Sequence, residues 1–246
     1  MEQLRFRSGI LEPWHNGTAK SLADSAQKDG VDFSVVLNIA TNAHQQSKVN
    51  DFAISLKDAD GIIPFGSVHP ESPAALDELE RLKENGIKGV KLHPDYQDFF
   101  IDEERMLPIY EKIGKLGMIT VLHTGIDMGY PRPVHCPAER LAAVLDSFGG
   151  APVVAAHFGG LCDWDNVEKY LIGKNIYFDT AYCYGLFPPK LAKELIELHG
   201  ADKVLFGSDT PWNSPRQDID LIRCFGLSEE NEKAVLGENA RKLLGI

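Results

Sequence analysis

The sequence predicts an α/β fold, a TIM-type (β/α) barrel, on three observations. Short apolar runs recur along the chain, segments with helical spacing lie between them, and six of the runs stop at a histidine or an aspartate. Strands that alternate with helices form a parallel sheet, and the right-handed crossover rule leaves a barrel or a doubly wound open sheet.

Seven runs read as strands: 32–39 (DFSVVLNI), 61–69 (GIIPFGSVH), 87–93 (IKGVKLH), 118–123 (MITVLH), 152–157 (PVVAAH), 176–179 (IYFD) and 203–209 (KVLFGSD). Several are apolar without alternation, as strands covered on both faces are. The helices announce themselves by punctuation. Residues 18–30 read as a helix ahead of the first run. Ser72-Pro73 opens the segment 74–83 and Gly86 stops it. Asp102 is placed to cap 103–116 before Gly117, with Pro108 predicting a kink or a split. Pro137 opens 138–148, Pro188-Pro189 opens 190–199, Ser214-Pro215 opens 216–225 and Ser228 opens 229–236, with a last helix at 238–244.

The polar strand ends choose between the two topologies. They are His69, His93, His123, His157, Asp179 and Asp209. In a barrel all C-terminal strand ends converge on one mouth, where active sites are built, whereas an open sheet favours the strands at its switch point. Ionisable groups at successive ends therefore favour the barrel.

Composition sets the outer bounds. The 246 residues are 43% hydrophobic and 25% charged, the make-up of a globular protein, and one domain over 1–246 is the simpler reading of that length. With 25 basic against 36 acidic side chains the net charge is −11, which gives no footprint for nucleic acid or for an anionic membrane. No run is long enough to span a bilayer and the start is too charged for a signal peptide, so a cytoplasmic protein is expected. Cys136, Cys162, Cys183 and Cys224 are far apart and read as reduced thiols.

At the mouth, imidazole is a common ligand for borderline metals, and a strand end holds it at a fixed angle. His123 and His157 each precede a glycine-containing turn, and Asp209 ends the last strand, where it can ligate a cation and take a proton from its bound water. The competing reading makes each histidine a hydrogen-bonded residue under a loop, and makes Asp209 a turn cap. Lys91 and His93, two apart, share one strand face. A lysine facing a barrel interior needs a partner, which a carboxylate, a substrate acid, a metal-linked carbamate or a structural ion pair could supply. Asp179 reads as an orienting residue for a neighbouring histidine, His69 as a turn residue, and Trp212 as a pocket wall or simple packing. No phosphate loop, dinucleotide fingerprint or nucleophile elbow is present in the sequence.

Gly89-Val-Lys-Leu-His-Pro94, His123-Thr-Gly125, Ala156-His-Phe-Gly-Gly160 and Phe206-Gly-Ser-Asp-Thr-Pro211, in this order, resemble the amidohydrolase-2 branch of the amidohydrolase superfamily. The resemblance runs from about Gly17 to Glu238-Asn-Ala240. It implies a metal-dependent (β/α)8 barrel, in a branch holding hydrolases and also carboxy-lyases of the aminocarboxymuconate-semialdehyde and resorcylate decarboxylase kind. By resemblance His123 matches the metal ligand of the family's fifth strand and Asp209 the ligand and proton shuttle of the eighth. His157 matches the sixth-strand histidine, a ligand in binuclear members and an acid, base or carbonyl polariser in mononuclear ones. Lys91 stands where some relatives carry a carbamate.

One departure matters. The family's first strand ends in a His-x-His metal motif, and no His-x-His exists in this chain. The first strand is thus expected to be missing or atypical, leaving open edges at 32–39 and 203–209 unless residues 4–11 or a partner covers them. Such an edge favours a homodimer.

The leading expectation is hydrolysis of a C–N or C–O bond in a small molecule by water activated on a divalent metal, most readily zinc. In it Asp209 moves the proton, His157 polarises the carbonyl, and Lys91, His93 and Trp212 meet the substrate. The alternatives are metal-dependent, non-oxidative decarboxylation of an aromatic or unsaturated acid, and a catalytically impaired barrel that only binds.

Overall fold

The computed structural model describes residues 12–130 and 132–246. Helix α1 (Ala19–Asp29) starts where Thr18 and Ser21 cap one another's backbone, and stops at Gly30, whose φ of 76° is open to glycine at no steric cost. Seven parallel strands follow: β1 (Ser34–Leu37), β2 (Ile62–Phe65), β3 (Gly89–Leu92), β4 (Ile119–Leu122), β5 (Val153–Ala155), β6 (Tyr177–Asp179) and β7 (Val204–Leu205). Each lies inside a run read from the sequence and is shorter than it, because the polar ends turn out into the mouth loops.

The helices between them are α2 (Gln46–Ser55), α3 (Ala75–Glu84), α4 (Pro94–Gln97), α5 (Leu107–Leu116), α6 (Ala138–Val144), α7 (Trp164–Tyr170), α8 (Pro189–His199), α9 (Pro215–Arg223), α10 (Glu229–Lys233) and α11 (Asn239–Leu244). Three expectations are corrected. Asp102 caps nothing: a 3₁₀ turn at Glu104–Met106 leads into α5, so the split predicted from Pro108 falls just ahead of that residue. No side-chain cap opens α3, since the helix starts later than Ser72-Pro73 would place it. The stretch read as two terminal helices is continuous through a π-turn at Ala234–Glu238 that joins α10 to α11.

Strands β3 to β7 form one sheet in sequential order and β1 pairs with β2. The Gly66↔Val90 bridge joins the two sets, with Lys91 N–H donating to Gly66 O at 2.8 Å. The wall therefore runs β1 to β7 without reversal. No described strand pairs β7 back to β1, and residues 4–11, the sequence's own candidate for that gap, lie outside the described residues.

Inside the wall, Phe65, Ile119, Val121, Val154 and Leu205 stack with Leu244 of α11, while a larger core fills the space between strands and helices. Gly89 belongs to this packing, because a Cβ there would stand 2.3 Å from the Phe65 ring. All four cysteines are free, with Cys136 and Cys183 buried. Among the described residues no helix is long and apolar enough to cross a membrane.

Candidate active site

The C-terminal strand ends open into a cavity of about 700 Å³ that Lys91, His93, His123, His157, Asp209 and Trp212 all help to line. The sequence-selected residues thus meet in one place. His69 stays outside it and accepts the Glu71 N–H at 3.2 Å, the turn role read from the sequence. His15, on a loop, also lines the cavity, with its ring 3.2 Å from the Thr210 hydroxyl beside Asp209.

His93 follows β3 and sits between two rings. Tyr96 stacks on one face at 3.5 Å and His123 on the other at 4.1 Å, the two imidazoles within 7° of parallel. Its Nε2 lies 3.4 Å from Asp127, while its backbone N–H donates to the buried Gln97 amide. Burial holds His93 and His123 well below the ordinary imidazole range, with Lys91 and His157 lowering His93 further and His93 and His157 lowering His123. Both are neutral bases at neutral pH. Asp127 went unread in the sequence because it sits in a loop, and Tyr96 because it sits in the four-residue helix α4. Their only signal is proximity, four residues past His123 and three past His93.

His157, at the end of β5, has φ of 60° and Asp209, past β7, has φ of 56°, a left-handed conformation that non-glycine residues adopt at a cost. The turn bends each chain so that the side chain enters the cavity. His157 has both nitrogens engaged, Nδ1 at 2.8 Å from Ala181 O and Nε2 at 3.2 Å from His123 Nδ1. Gly125 allows the next loop to close, since a Cβ there would lie 2.1 Å from the Leu161 nitrogen.

Lys91 is buried, and its ammonium makes no hydrogen bond or ion pair with another described residue. Burial lowers its pKa, against the pull of Asp179 and Asp209. Asp209 is reached by solvent through the cavity, yet protein surrounds it. That enclosure pushes its carboxyl up to about 6, with His157 and Lys91 acting in the opposite sense.

The donor chemistry fits a divalent metal at His123. Its Nε2 is buried with no hydrogen-bond partner among the described residues, an expensive state for an imidazole nitrogen unless something electrophilic meets it. Donor atoms of His93, His123 and Asp127 lie within 4.8 Å of one another. An imidazole ligates in its ring plane, so the parallel stacking means that one ring must turn before both could share an ion.

Comparison with known proteins places these features. The model of an amidohydrolase family matches residues 17–246. The 2-amino-3-carboxymuconate-6-semialdehyde decarboxylase of Dictyostelium discoideum is 26% identical over 210 residues, 70% of this chain and 58% of that protein, so the chain spans under two thirds of this curated relative. A TIM-barrel protein of Bordetella bronchiseptica superposes with a TM-score of 0.76 at 19% identity, covering 99% of this chain and 90% of that one. A dihydroxybenzoic acid decarboxylase of Polaromonas sp. JS666, solved with manganese and 2-nitroresorcinol, gives 0.72 at 17% identity, over 99% and 93%. The fold is that of the TIM barrel.

Proposed function

The chain belongs to the amidohydrolase family, and from that membership we propose that it is a metal-dependent carboxy-lyase acting on a small aromatic or unsaturated acid. One observation carries the reading: at the same mouth stand Lys91, buried and without a hydrogen bond or ion pair to its ammonium among the described residues, and Asp209, a carboxyl whose affinity for a proton is raised. A cation that needs an anion and an acid able to release a proton are what loss of carbon dioxide requires. The decarboxylase relatives support this over hydrolysis, the sequence's first expectation, which would use the same groups.

Lys91 holds the substrate carboxylate, and Tyr96, Tyr182 and Trp212 offer flat walls to a conjugated body. The carbon–carbon bond breaks, its electron pair remains on the ring or alkene carbon, and Asp209 delivers its proton there. Carbon dioxide leaves as a neutral molecule, and Asp209, which solvent reaches through the cavity, recovers a proton from water. The balance is one carboxylate and one proton in, one C–H bond and carbon dioxide out. His157, hydrogen-bonded to His123, keeps that imidazole in place. His123 and Asp127 would hold a divalent metal, which would supply positive charge to polarise the bound acid. Manganese, present in the Polaromonas structure, is the ion to test beside zinc.

The direct test is release of labelled carbon dioxide from a panel of carboxyl-labelled aromatic and unsaturated acids by the metal-supplemented chain. Cleavage of amides or esters, with none of these acids consumed, would overturn the reading. Lys91→Met sharpens it. Losing a charge-assisted contact of about 1.5–3 kcal/mol raises KM for the acid roughly 10- to 100-fold. The same change removes a buried, unpaired charge, so the free protein should melt at a higher temperature. An unchanged KM would remove Lys91 from substrate binding.

A further inference from the structure

Asp179 ends β6 and is buried, and the reaction described above leaves it without a task. Its Oδ1 accepts two backbone N–H groups, from His157 at 2.9 Å and from Ala181 at 3.0 Å. The Ala181 carbonyl in turn lies 2.8 Å from His157 Nδ1. One carboxylate oxygen therefore ties the strained backbone of His157 to the segment that supplies the acceptor for the His157 ring. The far side of this carboxylate is packed as well. A Cβ at Gly207 would stand 3.3 Å from Asp179 Cγ and 3.1 Å from Ala181 Cβ, so the end of β7 fixes the clamp from behind.

The hydrogen-bond rules then run in one direction. A carbonyl oxygen only accepts, so His157 Nδ1 carries the proton that Ala181 receives. In the neutral ring His157 Nε2 is then an acceptor, and His123 Nδ1, 3.2 Å away, must be its donor. A neutral His123 with its proton on Nδ1 presents a bare lone pair at Nε2, the buried nitrogen that has no partner among the described residues. We propose that Asp179 is a positioning residue which, through Ala181 and His157, fixes the tautomer of His123 so that its unpartnered Nε2 is held ready as a metal ligand.

This assignment rests on hydrogen-bond geometry and holds whichever bond the enzyme cleaves. Its test is a long-range ¹H–¹⁵N spectrum of histidine-labelled protein without metal or substrate at about pH 8, above the usual imidazole range. The expected result is a proton on Nδ1 of both His157 and His123. A proton on His123 Nε2 in the unsubstituted chain overturns the proposal, whatever the variants do.

Asp179→Asn keeps an oxygen able to accept both N–H groups and should keep both tautomers. Asp179→Ala removes the acceptor, so the two rings should lose the fixed pattern and zinc alone should bind roughly 10- to 100-fold more weakly, the usual cost of losing a group that orients a ligand. A folded Asp179→Ala protein with unchanged tautomers and zinc affinity would assign Asp179 a merely structural role. Should Asp179→Ala fail to fold, the spectra of the unsubstituted chain and of Asp179→Asn still decide. No outcome depends on carbon dioxide release, so the lyase reading stands or falls separately.

Discussion

Asp209→Asn lowers kcat by about 10²- to 10⁴-fold, the usual contribution of a positioned acid, and leaves the fold intact. The side chain projects into the cavity and carries no structural hydrogen bond among the described residues, so the isosteric amide should cost little stability. The amide cannot deliver a proton. The pH dependence has a definite sign: with its carboxyl pushed up to about 6, Asp209 is increasingly ionised above that value. As the proton donor it makes kcat/KM in the unsubstituted enzyme fall about tenfold per pH unit on the alkaline side of its pKa, which a bound cation would bring below about 6. A steady-state pH profile of both proteins checks this. A rate that rises with pH would instead make the ionised carboxylate the working form, as hydrolysis by a metal-bound water requires.

Asp218→Asn stabilises the protein at alkaline pH. Asp218 sits in the first turn of α9, almost wholly buried, with Oδ1 accepting from Asn213 and Oδ2 lacking any partner. Burial pushes its carboxyl up to about 8, and the nearby Asp209 adds to the shift. The unfolded chain ionises this group near the ordinary value of 3.8, while the folded chain keeps the proton until about 8. Stability is therefore lost as pH rises through that window, at about 1.4 kcal/mol per pH unit from this one group. The neutral amide has no such slope. Denaturant melts across the window should show the variant gaining on the unsubstituted protein with each unit of pH, by several kcal/mol in total. Parallel curves would mean that Asp218 ionises in the folded protein with water beside it.

The strands were legible because parallel strands covered on both faces must be apolar throughout, and their polar ends mark the mouth. Three helices, the single-turn α4 among them, left no such trace. The buried side of α2 is made of Gln46, Asn50 and Ala53, and Asn50 is satisfied by Ser67 and Glu78 rather than by apolar contact. Helix α7 buries little besides Val167. A hydrophobic period cannot announce a helix whose inner face is polar.

The site shows the same division. His93, His123, His157, Lys91 and Asp209 were readable because rigid strands deliver them. Asp127 and His15 arrive on loops and Tyr96 on the single-turn helix α4, whose spatial neighbours no local pattern encodes. Asp179 is readable as a strand-end carboxylate, but the backbone groups it holds are set by the turn after β5 and the turn after β6, which only the structure shows.

The central claim is that this cavity cleaves a carbon–carbon bond with the proton supplied by the protein. The most direct measurement is mass and NMR analysis of the product formed by the manganese- or zinc-loaded chain from carboxyl-labelled acids in D₂O enriched in ¹⁸O. The account predicts labelled carbon dioxide, one deuterium at the carbon that carried the carboxylate, and no ¹⁸O in the organic product. An organic product that carries ¹⁸O and retains its carboxylate would contradict it and return the chain to the hydrolases.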